Sequence, residues 1–386
     1  MGNFIVYNLS NIFPILVKGV QRAHGLKTLR PQDPENKLAQ AANSKLAARK
    51  ACGKGTTGTT GTKEPKELKE PKGAEATMQY GDVQDLLQQK ADLTARLSLL
   101  PYDGTPEIKH RGDGRYIYVR KRVAGKLTST YVGVYSDDLY NALLLNAREA
   151  RRMHKELRSI EKLLSAAGYT YSELPAHVAN NIAFARANLK VNIYDQAVLE
   201  GVATTFPQTE EIINNGKVFG VSANDVQKIL NLKHAWEFIL DADVAASASD
   251  YYMLSHIAKL VNEGFFLDGG RMRAVPVSIG GSSYIPPIPN ELDVKEAIDQ
   301  IVKKKNKAIE VAIELCVYCM KAQIFLDGNK RAAVIFANHY LISHGKGLLV
   351  IPEDKVSEFK KLLVRYYEGE DRQVISTFMK AHCWKH

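Results

Sequence analysis

From Ser172 to the C-terminus the apolar residues return every three or four positions with hardly a break, and only one stretch refuses the pattern. That stretch is Arg273–Pro289, RAVPVSIGGSSYIPPIP, where β-branched residues, Gly280-Gly281 and four prolines argue against a helix. A chain patterned this way folds as a mainly helical domain that carries one extended hairpin or flap. The spacing predicts helices over Ser172–Asn188, Glu210–Asn214, Ala223–Leu240, Ser249–Glu263, Asp293–Lys303, Lys307–Lys321, Asn329–Ser343, Pro352–Tyr367 and Arg372–Ala381.

Upstream the pattern changes. Asp82–Leu100 repeats at helical spacing and stops at Pro101. Two alternating runs, Arg115–Val123 and Leu127–Val134, flank the turn Ala124-Gly125-Lys126 and predict a β-hairpin. Asp137-Asp138 is suited to cap a long helix from Leu139 to Ala166 that ends at Gly168. Residues 53–76, GKGTTGTTGTKEPKELKEPKGAEA, have the composition of a flexible linker, which cannot bury enough apolar surface to offset its ordering entropy. The expected organisation is a basic, disordered segment over 1–80, a helix–hairpin–helix accessory module over 81–170 and a helical domain over 172–386.

Charge is unevenly spread. Residues 1–80 hold 13 basic and 6 acidic side chains, and residues 109–162 again hold 13 and 6. The whole chain is +10, so the remainder is close to neutral. Arg120, Lys121, Arg122, Arg151, Arg152 and Lys155 form either a solvated charged face or a docking surface, with nucleic acid the less favoured partner. The N-terminal apolar stretches are interrupted by Asn and Pro, which excludes a signal peptide or a membrane span; Val6 stands where a myristoylation signal needs Ser or Thr. Four cysteines in 386 residues do not make a disulfide scaffold, and a cytoplasmic setting is expected. Cys316-x-x-Cys319 falls in a helical pattern without a second ligand pair, so it reads as two small core residues rather than a metal site.

The loop Gln323-Ile-Phe-Leu-Asp-Gly-Asn-Lys-Arg331 lies between two strong helices. Asp327-Gly328-Asn329 makes a tight turn, and Asn329 is suited to cap the next helix. A loop feeding a helix N-terminus offers free N–H groups to an anion, and Gly328 allows close approach. Lys330 and Arg331 in the first helical turn oppose the helix dipole unless an anion is present. Asp327 is a hard oxygen ligand suited to Mg²⁺ shared with phosphates. On composition alone, a phosphate site and an ordinary inter-helix turn are evenly matched.

QIFLDGNKR resembles the signature loop of the Fic domain, HxFx[DE]GNGRxxR, and its HxFxDGNKR form. GGSSYIPPIP is similar to the flap of these domains, and EGVATTFPQTEEIINNG followed by NDVQKILNLKHAWEFIL is similar to the segment before their core. The resemblance spans about Ser172–His386. It implies a Fic-type helical bundle that binds ATP with Mg²⁺ and moves AMP to a hydroxyl side chain of a target protein. Asp327 would hold the metal, Gly328, Asn329 and Lys330 would line the phosphate site, and Arg331 would pair with phosphates. Ser283 and Tyr284 would align an extended target segment.

The sequence departs from the family pattern in three places. Gln323 stands where the family has its catalytic His, and an amide cannot act as general base. Lys330 replaces the second Gly, as in the Doc branch, where phosphoryl transfer is implied instead. Val334 replaces the last Arg. Glu200-Gly201 is similar to the family's inhibitory motif, with Gln196 at its hydroxyl position, but with Val334 in place the regulatory Glu200 is expected to lack its arginine. The expected function is therefore AMP transfer impaired by Gln323, with a catalytically silent protein-binding module or a Doc-like phosphotransferase as alternatives. His234, His256 and His339 lie in other helices, and the sequence does not bring them to the loop.

Overall fold

The last long apolar run, NKRAAVIFANHYLIS, is buried on every side, and that decides the architecture. A helix apolar all round must lie inside others. The computed structural model describes residues 80–386 apart from 124, 171–172 and 216–219. The expected disordered segment 1–80, apart from Tyr80, and with it Cys52, falls outside the described residues.

Helices α1 (Tyr80–Leu99) and α2 (Asp137–Ala166) flank a three-stranded antiparallel sheet of β1 (Thr105–Arg111), β2 (Gly114–Val123) and β3 (Lys126–Val134), in that order. Then come α3 (Ala176–Ala187), α4 (Leu189–Leu199), α5 (Phe206–Asn215), α6 (Ala223–Ile239), a short α7 (Ala242–Ala245) and α8 (Tyr251–Val261). After the extended stretch follow α9 (Glu291–Val302), α10 (Ala308–Ala322), α11 (Asn329–Ser343), α12 (Val356–Tyr367) and α13 (Arg372–His382). Two short strands, β4 (Leu348–Leu349) and β5 (Trp384–Lys385), pair antiparallel and tie the C-terminus to the end of α11.

The chain is mainly helical, as the periodicity predicts. α11 is the axis, with α10, α8, α6, α3 and β4 around it. Phe336, Ile335, Leu341 and Ile342 on α11 are all completely buried, and each contributes roughly 1.5–3 kcal/mol by burial. Asn338 sits equally deep and offsets its desolvation by pairing with β4. Its amide donates to Leu349 O at 2.7 Å and its Oδ1 accepts from Leu349 N at 2.9 Å.

Four differences from the sequence reading have physical causes. The helix expected over Ser172–Asn188 begins at Ala176 and ends at Ala187, and α4 follows directly after Asn188. α4 escaped notice because Asn192–Ala197 are all buried, so polar residues fill inward positions and no apolar stripe shows. β1 was missed because Pro106 and alternating charges mask it, and an edge strand tolerates both. Ser136, rather than Asp137-Asp138, caps α2 by accepting from Leu139 N. Residues 273–289 are extended with a turn at Gly280-Gly281, but no strand ladder forms across them; an isolated bridge just before them joins Met272 to Phe325.

The described residues fall within a single compact unit. α1 packs against both α2 and α6. Its contact with α6 contains a buried ionic cluster. His234 is completely buried between Asp92 (Nε2 to Oδ1, 2.9 Å) and Glu263 (Nδ1 to Oε2, 3.3 Å), and Arg96 bridges the same two carboxylates at 2.9 and 2.6 Å. Burial alone would lower the His234 pKa, but Asp92 and Glu263 outweigh it and raise it. Burial would raise Asp92, yet His234 and Arg96 hold it well below the ordinary carboxylate range.

A raised imidazole pKa contributes stability that is complete below the unfolded value, about 6.5, and lost as pH rises through the folded one. Denaturant unfolding should therefore show lower stability at alkaline than at mildly acidic pH, and His234→Gln should flatten that dependence. Equal slopes in wild type and variant would mean that His234 is neutral in the fold. Asp92→Ala, which strands a buried cation, should cost roughly 3–5 kcal/mol.

Candidate functional site

α10 ends at Gln323, whose left-handed backbone (φ 46°) is the only positive φ at a non-glycine among the described residues. The chain leaves the helix sharply there, and the side chain holds the bend. Gln323 Nε2 donates to Met320 O at 2.7 Å, and its Oε1 accepts from Asn329 Nδ2 at 3.2 Å. Both ends of the amide are thus engaged within the loop.

Asn329 closes the loop from the other side. Its Oδ1 accepts from Phe325 N at 2.9 Å and its Nδ2 donates to Phe325 O at 2.8 Å. The expected capping role passes elsewhere, because Asn329 is the first residue of α11 and Gly328 is the cap position. Gly328 has φ 74°, and a Cβ there would lie 2.5 Å from Asn262 Oδ1, so only glycine fits. Asp327 Oδ1 accepts from Gly328 N at 2.7 Å.

Asn262, just past α8, anchors the turn from below. Its Nδ2 donates to Gly269 O and Asp327 O, and its Oδ1 accepts from Arg331. Arg331 is buried to 2% exposure and donates to Val261 O at 2.7 Å. Its guanidinium also lies 3.3 Å from Asp327 Oδ2 and, through Nε, 3.6 Å from Glu200 Oε2. Glu200 lacks the arginine of the last motif position, as expected, but a different arginine lies beside it. Val334 is buried core, and Glu200 meets Arg331 instead, with Lys330 Nζ at 4.0 Å. The Glu200 side chain is only 12% exposed.

Gln196, one turn before Glu200, joins three helices. Its Nε2 donates to Arg331 O at 2.9 Å while its Oε1 accepts from Trp236 Nε1 at 2.9 Å. The two cations in the first turn of α11, unfavourable against the helix dipole, are thus met by carboxylates of the protein itself. Lys330 and Asp327 remain solvent-accessible at 35% and 58%. The site therefore presents an exposed carboxylate and a partly accessible amine beside a helix N-terminus, with Arg331 turned inward as a strut.

The extended stretch is tied to this loop by Arg273, which the sequence reading did not single out. Arg273 N donates to Ile324 O. Its guanidinium donates to Gln323 O at 2.5 Å, Val275 O at 2.7 Å, Pro286 O at 3.3 Å and Pro287 O at 2.5 Å. One side chain thus gathers both ends of the flap and the start of the loop. Only a forked donor can do this, and an arginine immediately before a Pro-rich excursion was the available signal.

At the flap tip, Ser283 N and Oγ both donate to Glu368 at 2.9 and 3.1 Å, and Ser282 Oγ adds a third bond at 3.1 Å. The Ser283 amide expected to pair with a target is occupied by Glu368 in this conformation. Tyr284 is half-buried, stacked on Tyr367 with centroids 6.3 Å apart.

The histidines stay away from the loop. His339 is completely buried, with Nδ1 2.7 Å from Ser249 Oγ and Nε2 2.9 Å from Val244 O, and burial pushes it down to about 4. His256 stacks on Phe238 and is likewise pushed down to about 4 by burial. Cys316 and Cys319 are buried free thiols, and burial raises Cys319 to about 12, as expected of core residues. Among the described residues no group of three or more His, Cys, Asp or Glu is placed to hold a metal. Asp327 alone still suits a Mg²⁺ that keeps its waters and shares phosphate oxygens. No helix of the described residues is long and apolar enough to cross a membrane.

Arg273→Lys keeps the charge but loses the fork, leaving buried carbonyls unpaired. It should cost roughly 2–4 kcal/mol and speed proteolytic cutting within 274–289; an unchanged digestion rate would show that the flap is held by other contacts.

Residues 249–341 match the Fic/DOC family, so the chain carries a Fic/DOC-type domain containing the loop. Residues 80–141 match a domain of unknown function, DUF6788. No curated protein matches the chain. Among solved structures, Fic-1 from C. elegans is 19% identical, covering 64% of this chain and 76% of its own, with a TM-score of 0.43. A Fic domain containing signaling protein from Bacteroides thetaiotaomicron VPI-5482 is 16% identical, with coverages of 54% and 86% and a TM-score of 0.44. A Fic family protein from Desulfovibrio desulfuricans G20 is 17% identical, with coverages of 55% and 74% and a TM-score of 0.43.

Proposed function

We propose that the Fic/DOC-type domain binds ATP with Mg²⁺ at the Asp327–Arg331 turn and transfers AMP, slowly, to a hydroxyl of a protein segment laid along residues 273–289. The observation that carries this reading is the pairing of an exposed Asp327 and a half-buried Lys330 beside the N-terminus of α11, on a turn that Asn262 and Gly328 hold in place. The N–H groups of that helix end suit a phosphate, and Lys330 supplies the mobile charge. Asp327 would hold the metal, which when bound neutralises phosphate charge. In the transfer, the target hydroxyl oxygen bonds to the α-phosphorus. The bond from the α-phosphorus to the oxygen bridging the β-phosphate breaks, and pyrophosphate leaves. The hydroxyl proton passes to water, because Gln323 cannot take it.

Glu200 supports low activity as the resting condition. It occupies the electrostatic place beside Arg331 and Lys330 that a phosphate would otherwise take. A second reading, the silent protein-binding module, is favoured by one observation: the Gln323 amide is engaged at both ends by hydrogen bonds within the chain.

Incubation with Mg²⁺ and ATP labelled on the α- or γ-phosphate separates these readings. Transfer of α-label, abolished by Asp327→Ala and raised about 10²–10⁴-fold by Gln323→His, is the expected result. Label from the γ-position alone would establish phosphoryl transfer instead. Silence from every variant, with no nucleotide binding, would overturn the enzyme reading and leave the silent module. Glu200→Gly should tighten ATP binding in equilibrium dialysis; unchanged affinity would mean that Glu200 serves only to neutralise Arg331.

A further inference from the structure

Among the described residues, the sheet β1–β2–β3 is covered on one face only. Ile117, Val119 and Val132 pack against Leu139 and Leu143 of α2 and form a small core of their own. Side chains alternate along a strand, so Tyr116, Tyr118 and Arg120 point the other way. The register sets Tyr118 opposite Tyr131, Tyr116 opposite Val134 and Lys109, and Arg120 opposite Ser129. Three tyrosines therefore meet on the uncovered face: Tyr118 and Tyr131 edge to face at 5.5 Å, and Tyr116 and Tyr131 at 6.3 Å. Tyr131 is 51% exposed, and Leu127 and Val134 on the same strand are 60% and 65% exposed.

Cations surround the rings. Lys109 Nζ lies 4.4 Å and the Arg111 guanidinium 6.0 Å from the Tyr118 centroid. Residues 105–134 hold seven basic side chains against two acidic ones. Among the described residues the carboxylate on this face is Glu107, half-buried, with its buried Oε2 3.7 Å from Arg120 Nε.

We propose that this open face binds single-stranded nucleic acid, with unpaired bases stacked on Tyr118 and Tyr131 and phosphates held by Lys109, Arg111 and Arg120. Charge alone would suit an acidic protein equally well. The tyrosine cluster decides between them, because aromatic faces on an open sheet match unpaired bases and offer nothing particular to carboxylates. A duplex hides its base faces, so the site should prefer single strands. The inference concerns residues 105–134 and stands independently of the nucleotide site on α11.

The test uses the full chain and fluorescein-labelled oligonucleotides of about 12 nucleotides, a length within known single-strand site sizes. Fluorescence anisotropy is followed with single-stranded RNA and DNA, the matching duplex, and polyglutamate as competitor. Single strands should bind at least about tenfold tighter than duplex, and Tyr118→Ala with Tyr131→Ala should weaken binding roughly tenfold or more. Tyr118→Phe with Tyr131→Phe preserves the rings and should retain affinity. Arg111→Gln with Arg120→Gln should flatten the salt dependence by about 0.7 per cation removed. If the alanine pair melts early, the phenylalanine and glutamine pairs decide the matter on folded protein. No binding of single strands, or affinity indifferent to loss of the tyrosines, would overturn the proposal. So would displacement by polyglutamate as effective as by unlabelled oligonucleotide, which would mark the face as a site for an acidic protein.

Discussion

A guanidinium buried at the positive end of a buried helix is the constraint around which the domain is arranged. Arg331 cannot reach water, and the dipole of α11 disfavours it where it stands. The protein answers with Val261 O, the Oδ1 of Asn262, and the carboxylates of Asp327 and Glu200. Each partner comes from a different place: the end of α8, the residue beyond it, the turn itself and the end of α4. Satisfying one cation therefore fixes the meeting of three helices and a loop. Gln196 reinforces the same junction by holding Arg331 O and the Trp236 indole together.

A second buried guanidinium does for the flap what Arg331 does for the turn. Arg273 has only carbonyl partners among its hydrogen bonds, and these lie at Gln323, Val275, Pro286 and Pro287. Prolines cannot form a strand ladder through their own nitrogens, so a Pro-rich excursion needs an external clamp. That clamp begins at the carbonyl of Gln323, the residue that also bends the chain out of α10. The flap and the loop are consequently one mechanical unit, and motion in either would be felt by the other.

The chemistry at Gln323 follows from the same economy of hydrogen bonds. A histidine at that bend would offer a group that titrates near neutrality. Glutamine offers an amide, and the loop uses both its ends for structure. The charged groups that remain accessible beside the bend are Asp327 and Lys330.

Much of this was legible in the amino-acid sequence. Helical periodicity marked α6 and α8 through α13, because each has an apolar stripe or a fully apolar body that burial requires. Tight-turn chemistry located Asp327-Gly328-Asn329, and alternation located β2 and β3. What the sequence could not supply were contacts whose partners lie far apart along the chain. Glu200 meets Arg331, His234 sits between Asp92 and Glu263, and Arg273 clamps the flap, all through tertiary proximity. Helix α4 stayed hidden because buried polar residues such as Asn192, Asp195 and Gln196 erase the stripe that periodicity reads. Local pattern alone determined the elements and the loop, since backbone geometry and burial act on neighbours. The pairing of buried charges was decided only by the tertiary structure, because a desolvated ion takes whichever partner the fold brings within reach.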